Sequence, residues 1–535
     1  MKTEIKSGLI TGLVGGVIVF LFGGWSVTIL GILMGVFMGI SIGGKLNKQD
    51  GPGKLALKSL STSWIAAVVF IAVSLFQNYV VAPAAGQTPN QLNVVIPANL
   101  IGGLGIILFA ALTVALHGLP DRQERLGKVI LIAILVITFP FIDRITGLRW
   151  SGQIIFALIF VILGLGLNIV VGFAGLLDLG YAAFFAIGAY TTGILSSPQH
   201  HIFLNFWLVI WIALGMAALW GLILGSPTLR LRGDYLAIVT LGFGEMMPVI
   251  FRNLTSVTIK EPLTCWIIPG ILRLFNSNAS MQCITFAENM DLTAGEKGIN
   301  PIGRPYLPLI GEFQSNNTTP WYFLILILIL VSVFFIRRLR DGRLGRAWMA
   351  LREDEQAAAQ MGINPVHTKL TAFAMGAAFS GFAGAFYAAY VRGIFPSVFE
   401  FSTSIIIVCI VVLGGMGNMN GVILGGIIIM GADRLFLPAL KDLLKGLMDS
   451  TILPALASNH TLQAAVAQNA NPILYRFLLF GLTLVVMMAL RPEGILPSAQ
   501  IREEMHTAEE TSSAQTGADM HTIEEISAVE EGVNN

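Results

Sequence analysis

Apolar runs of about 20 residues recur along most of this chain, and each is long enough to cross about 30 Å of hydrocarbon as a helix. Inside lipid every backbone amide must be paired internally, which leaves helices or a closed barrel. Barrel strands alternate in polarity over about 10 residues. Runs such as FLILILILVSVFF (323–335) are instead apolar nearly throughout. The expected fold class is therefore all-α, a polytopic helical membrane protein of about 12–14 transmembrane helices.

Composition closes other classes. Of 535 residues, 55% are hydrophobic and 12% charged, and the net charge of +1 suggests no nucleic-acid partner. Three cysteines are too few for a disulfide scaffold or a zinc cluster. The seven histidines show neither metal spacing nor a Ser/His/Asp arrangement, and no Gly-x-x-x-x-Gly-Lys-Ser/Thr phosphate loop occurs. No catalytic set, metal site or cofactor is expected on this chain. The N-terminal apolar run continues to Gly43 without a small-residue cleavage site after a short core, so it reads as retained membrane helices.

Three regions are expected. Residues 1–127 form an extension with about four membrane helices. There Gly31, Gly35, Gly39 and Gly43 make a smooth stripe, for packing inside the chain or against a partner. Residues 128–497 form the core, with spans near 128–143, 151–171, 178–196, 204–226, 233–254, 321–336, 370–391, 401–416, 419–434 and 472–490. Long polar insertions interrupt it at 255–320 and 435–471. Residues 498–535 form an acidic tail, with nine acids after Arg502, too poor in apolar surface to order itself.

Short loops rich in Lys and Arg face the cytoplasm. The richest, 337–352, holds Arg337, Arg338, Arg340, Arg343, Arg346 and Arg352, and span counting puts 45–58, 118–128 and 228–233 on the same side. Both insertions then face outward and the C-terminus inward. Cys265 and Cys283 share the first insertion, and an oxidising compartment would let them close a short loop. Two unpaired thiols are the alternative.

Between two spans lies LGRAWMALREDEQAAAQMGI (344–363). Its acids favour a helix start, its alanines favour helix without bulk, and Gly362 suits a C-cap. A short, low-profile knob outside the membrane results, shaped to sink into a groove on a soluble partner. Elsewhere, Gly175, Asp178 and Tyr181 fall in a glycine-broken run, which reads as tight crossing or as a re-entrant segment. Glu245 is a carboxylate well inside a span, bound for a translocation path, a helix terminus or a pairing with a neighbouring span. The turn in VLGGMGNMNGVILGG (412–426) reads as a helical hairpin, with a gate hinge as the alternative.

The pattern Gln356-Ala357-Ala358-x-x-x-Gly362 resembles the cytoplasmic coupling loop of ABC importer permeases, although Gln356 stands where that family usually has Glu. The segments 166–190, 229–245, 342–363, 369–388, 411–426 and 491–497 together look like the M-type permease of branched-chain amino-acid ABC importers, in that family's order. The resemblance implies an ABC permease fold with extra N-terminal helices, in a bacterial inner membrane. It implies a transport subunit that is not itself an enzyme, for branched-chain or other neutral amino acids. Its partners would be a second permease subunit (H-type), two cytoplasmic ATPases that hold the ATP, and a periplasmic solute-binding protein. Coupling would fall to Arg346, Glu355, Gln356, Ala357, Ala358 and Gly362. Gly175, Asp178, Tyr181 and Glu245 are the candidates for the path; Tyr181 stands where many relatives have His. A permease for urea or short amides and an ion-coupled secondary transporter are the alternatives.

Overall fold

The computed structural model describes residues 52–79, 92–255, 291–448 and 472–496, with part of 30–38, apart from isolated positions and short runs within them such as 201–203 and 229–233. Among the described residues, fifteen α-helices carry the architecture: α1 (Pro52–Phe76), α2 (Leu92–His117), α3 (Asp121–Thr146), α4 (Trp150–Asn168), α5 (Ala182–Ser196), α6 (Phe206–Thr228), α7 (Asp234–Asn253), α8 (Thr318–Asp341), α9 (Arg343–Glu353), α10 (Glu355–Gln360), α11 (Pro365–Val391), α12 (Phe401–Gly414), α13 (Met419–Gly431), α14 (Leu437–Leu447) and α15 (Arg476–Leu490). The described residues hold one small ribbon, β1 (Tyr306–Leu307) against β2 (Gly311–Glu312), antiparallel with Tyr306 opposite Glu312. Among the described residues nine helices are long and apolar enough to cross a membrane, and three shorter apolar helices accompany them. The chain is a polytopic helical membrane protein, as its apolar runs predict.

Most predicted spans appear in place, and the differences have physical causes. α3 starts at Asp121 and α8 runs on to Asp341, beyond the apolar cores of their spans. Charged residues with long side chains are good helix formers, so a helix continues past the hydrocarbon that a hydropathy reading detects. The span expected from 178 begins only at Ala182, after a break. Within the expected insertion 435–471, Leu437–Leu447 is helical. Cys265, Cys283 and the acidic tail lie outside the described residues.

The chain divides into two compact units, Met1–Ile154 with Gly431–Leu478, and Ile155–Met430 with Leu479–Asn535. In the first, a Cβ on Gly31 would collide with the Gly102 carbonyl, and one on Gly35 would come within 2.8–2.9 Å of the backbone of Gly105 and Ile106. These glycines therefore pack within the chain, the internal reading of the stripe; Gly39 and Gly43 lie outside the described residues. Buried Asp143 joins α3 to α4, accepting from the amides of Trp150 and Ser151 at 2.9 Å each.

The second unit is built around α11, whose sequence KLTAFAMGAAFSGFAGAFYA is so rich in Gly and Ala that neighbouring backbones reach it. A Cβ on Gly381 would meet the Ala217 side chain and the Ala213 carbonyl of α6, and one on Gly384 the Phe185 carbonyl of α5. Close approach of this kind holds membrane helices together by packing, since lipid supplies no hydrophobic drive between them. At one end, the segment 291–317 is fastened to this bundle. Ile299 and Ile394 exchange backbone hydrogen bonds of 3.2 Å, and Ser197 Oγ donates to the Pro301 carbonyl at 2.9 Å. Arg252, at the end of α7, bridges Glu296 at 2.9 Å and Glu400 at 3.0 Å.

Candidate functional site

The opposite end of the second unit gathers most of the segments singled out in the sequence. Gly342 breaks the chain after α8, and α9 follows with Gly345, Trp348 and Leu351 buried on one face. Their spacing of three is the inner face of an amphipathic helix. Trp348 is fully buried, and its Nε1 donates to the Thr368 carbonyl at 3.0 Å and to Thr371 Oγ1 at 3.2 Å. This indole pins α9 to the start of α11. Arg346 is on the exposed side and donates to the Asp341 carbonyl at 2.9 Å, closing the turn into α9.

A single extended residue, Asp354, separates α9 from α10, and its carboxylate accepts from the amides of Gln356 at 2.7 Å and Ala357 at 3.0 Å. It is thus a side-chain N-cap, and the charge run Glu353-Asp354-Glu355 starts a new helix as expected. Glu355 pairs with Lys369 of α11 at 2.7 Å, where the lysine side chain is only 9% exposed. Gly362 takes φ +86°, and the amides of Gly362 and Ile363 reach back to the carbonyls of Ala359 and Ala358. Only glycine enters that left-handed region without strain.

The knob presents a different set of alanines from the pair in the motif. Ala358 is buried, whereas Gln356, Ala357, Ala359, Gln360 and Gly362 are exposed and Met361 is 84% exposed. Ala358 therefore seats α10 on the bundle, and the outward low-relief surface is Ala357, Ala359 and Met361. Ala359 and Met361 were not among the sequence candidates, nor were the anchors Trp348, Arg352 and Lys369. The three-residue spacing of Gly345, Trp348 and Leu351 was the available signal for Trp348.

Behind the knob lies the end of α4. Its last turn widens into a π-helix, Ile169–Phe173, and Arg352 Nη1 donates to the Gly172 carbonyl at 2.7 Å. Gly175 has φ +69°, and a Cβ there would lie 2.8 Å from Cγ of Arg352. Asn168 Oδ1 accepts from the amide of Gly417 at 2.8 Å, in the four-residue turn between α12 and α13. That turn is paired in its own right. The amides of Ile495 and Leu496 donate to the carbonyls of Leu413 and Gly414 at 2.9 and 3.1 Å, and Asn418 Nδ2 donates to the Leu496 carbonyl at 3.1 Å. A continuous set of contacts runs from the knob through Arg352, Gly172 and Gly417 to the RPEGILP segment.

The candidates for the path are placed as follows. Asp178 is 1% exposed, in the break between the π-turn and α5, with Oδ1 accepting from the Gly180 amide at 2.9 Å. Its Oδ2 is buried without a hydrogen-bond partner among the described residues. Gly180 lies so close to α7 that a Cβ would collide with the Thr240 carbonyl. Tyr181 is fully buried and donates to the Gly376 carbonyl at 2.7 Å. Glu245 differs from Asp178 and Tyr181, because it is exposed on the outer face of α7. The described residues contain no group of three or more His, Cys, Asp or Glu able to hold a metal, and Cys409 is buried and free.

The known proteins that this chain is similar to are transport permeases. The family model described as "branched-chain amino acid transport system / permease component" matches residues 151–487. The high-affinity branched-chain amino acid transport system permease protein LivM of Escherichia coli is 38% identical over 384 residues, covering 70% of this chain and 76% of that one. The probable LivM permease of Methanocaldococcus jannaschii is 24% identical over 360 residues, 66% of this chain and 93% of that one. The LivH permease of Salmonella typhimurium is 30% identical over 128 residues, 23% and 40% of the two chains. No solved structure matches. The chain belongs to the permease-component family of branched-chain amino acid transport systems.

Proposed function

We propose that this chain is one membrane-spanning subunit of an ATP-driven importer for branched-chain or other neutral aliphatic amino acids. The named specificity of its LivM relatives supports the substrate class. Its likeness to LivH supports a second, related permease subunit as partner. Two ATPase subunits on the inner side supply the energy, and a solute-binding protein on the outer side supplies the amino acid. The arginines at 337–352 orient the knob and the C-terminus toward the cytoplasm of a bacterial inner membrane.

The observation that carries this reading is the anchored knob. Its outward residues are small or flexible, while Trp348 and Glu355 tie it to the start of α11 and Arg352 ties it to the end of α4. A lever needs that combination, a compliant contact surface on a stiff mount. Motion of an ATPase under α10 would reach the end of α4 through Arg352 and the α12–α13 turn through Gly172.

The test is Ala357→Trp, which adds bulk on an exposed position and leaves the membrane helices untouched. In proteoliposomes holding the whole complex, this variant is expected to insert normally and lose ATP-driven uptake. Uptake at the wild-type rate would remove the knob from the coupling role.

A further inference from the structure

α7 carries an acid that the coupling geometry leaves unused. We propose that Glu245 lines the solute pathway where α7 faces the second permease subunit, and that its carboxylate takes the ammonium group of the amino acid in transit. The proposal rests on the importer reading above and gives it a substrate-contacting residue.

The face comes first. Leu236, Ala237, Thr240, Gly244 and Met247 are buried, and the backbones of Thr240 and Gly244 press against Gly180. On the other side Tyr235, Ile238, Gly242, Glu245, Met246 and Val249 are exposed at spacings of three and four, one continuous stripe of a helix. Glu245 sits in the middle of that stripe.

Depth excludes an interfacial position. From Asp234 the helix rises about 1.5 Å per residue, so Glu245 lies about 16 Å into a span that is about 30 Å thick. A carboxylate there is too costly to leave in lipid, and acids so placed face a water-filled cavity or a partner. The other exposed membrane faces show what lipid contact looks like in this chain. α8 presents Ile327, Leu330 and Phe334, α6 presents Leu208, Trp211, Leu219 and Ile223, and α15 presents Leu478, Leu482 and Val485. Each of these sets is purely apolar. The α7 stripe alone among them carries an acid at mid-depth.

Chemistry selects the ligand. No described residue forms a hydrogen bond or ion pair with Glu245, so its charge is available. One turn before it, a Cβ on Gly242 would meet no atom within 4 Å, which leaves open space beside the carboxylate. Ile238, Met246 and Val249 flank the acid with flexible or branched apolar groups. A carboxylate set in such a surface is complementary to a small zwitterion that has an ammonium group and an aliphatic side chain.

The complete complex, reconstituted in proteoliposomes, provides the test through Glu245→Gln and Glu245→Cys. The Gln variant is expected to retain the second permease and the ATPases, to hydrolyse ATP at the basal rate, and to need at least tenfold more leucine for half-maximal uptake. The Cys variant is expected to react with a charged, membrane-impermeant thiol reagent, more slowly when leucine saturates the complex. Phe334→Cys on α8, facing lipid, is expected not to react. Unchanged leucine dependence in the Gln variant overturns the proposal, as does an unreactive Glu245→Cys. Loss of the second permease from the Gln complex overturns it too, because Glu245 would then be an assembly contact. A wild-type complex that hydrolyses ATP but moves none of these amino acids counts against the importer reading, and the labelling still decides whether α7 borders water.

Discussion

The guanidinium of Arg352 donates to the carbonyl oxygen of Gly172 at 2.7 Å, across 180 positions of sequence. This bond ties the helix before the knob to the end of a membrane helix, at the turn where that helix widens into a π-helix. Carbonyls in the last turn of a helix lack an intrahelical partner, and a positively charged donor is the stronger kind of replacement. Arg352→Gln should therefore loosen the mount while leaving α9 and α10 folded. A hydrogen bond to a charged group is worth about 1.5–3 kcal/mol. Transport by the complex should fall about tenfold or more, with ATP hydrolysis retained, as measured by paired uptake and phosphate-release assays.

The Glu355–Lys369 pair fixes α10 to α11 with the lysine nearly buried. Removing the carboxylate strands that ammonium, at a cost of roughly 1–3 kcal/mol or more. Glu355→Ala should weaken the complex with the ATPase subunits in detergent. The exchanged pair Glu355→Lys with Lys369→Glu should restore a substantial part of that association. Equal loss in the single and double variants would mean that the pair is not what positions the helix.

Two glycines separate close packing from open space. A Cβ on Gly180 collides with the Thr240 carbonyl, whereas one on Gly215 meets nothing within 4 Å. Gly180→Ala should lower stability by about 1–3 kcal/mol through forced backbone displacement, visible as a lower unfolding temperature of the purified protein. Gly215→Ala should raise it slightly, by up to about 1 kcal/mol, since alanine is the better helix former.

Tyr181 is fully buried and its hydroxyl donates to the Gly376 carbonyl. Tyr181→Phe keeps the ring and leaves that carbonyl without its partner, a loss of about 1 kcal/mol. The expected outcome is a small drop in unfolding temperature with uptake intact at a permissive temperature. A change in which amino acid is carried, at unchanged stability, would instead give Tyr181 a role in selection.

Solid apolar runs made the helical membrane fold legible, because length and polarity alone decide whether a segment can cross lipid. The limits of α3 and α8 were less legible, since the apolar run begins only at Val129 in α3 and stops at Ile336 in α8 while helix propensity extends beyond both. Small residues announced the tight crossings but not their partners. That Gly31 meets Gly102, or Gly188 meets Gly381, depends on how distant segments fold together. The knob itself was read from its acids, alanines and closing glycine. Which alanines face outward was not, because Ala358 turns inward by the phase of a six-residue helix that begins only at the Asp354 cap. Likewise, Glu245 was recognisable as a costly charge, yet its exposed face follows from where Gly180 grips α7.

Contact between the knob and a separate ATP-hydrolysing chain is the most direct issue. Met361 is 84% exposed at the tip of that knob and makes no anchoring bond among the described residues. With Met361→Cys in membranes carrying the full transport system, a short thiol-directed crosslinker applied from the cytoplasmic side should join this chain to the ATPase subunit, with a yield that changes upon adding ATP. No crosslink to an ATPase in a complex that still transports, or reaction of that cysteine only from the outer side, would contradict the account.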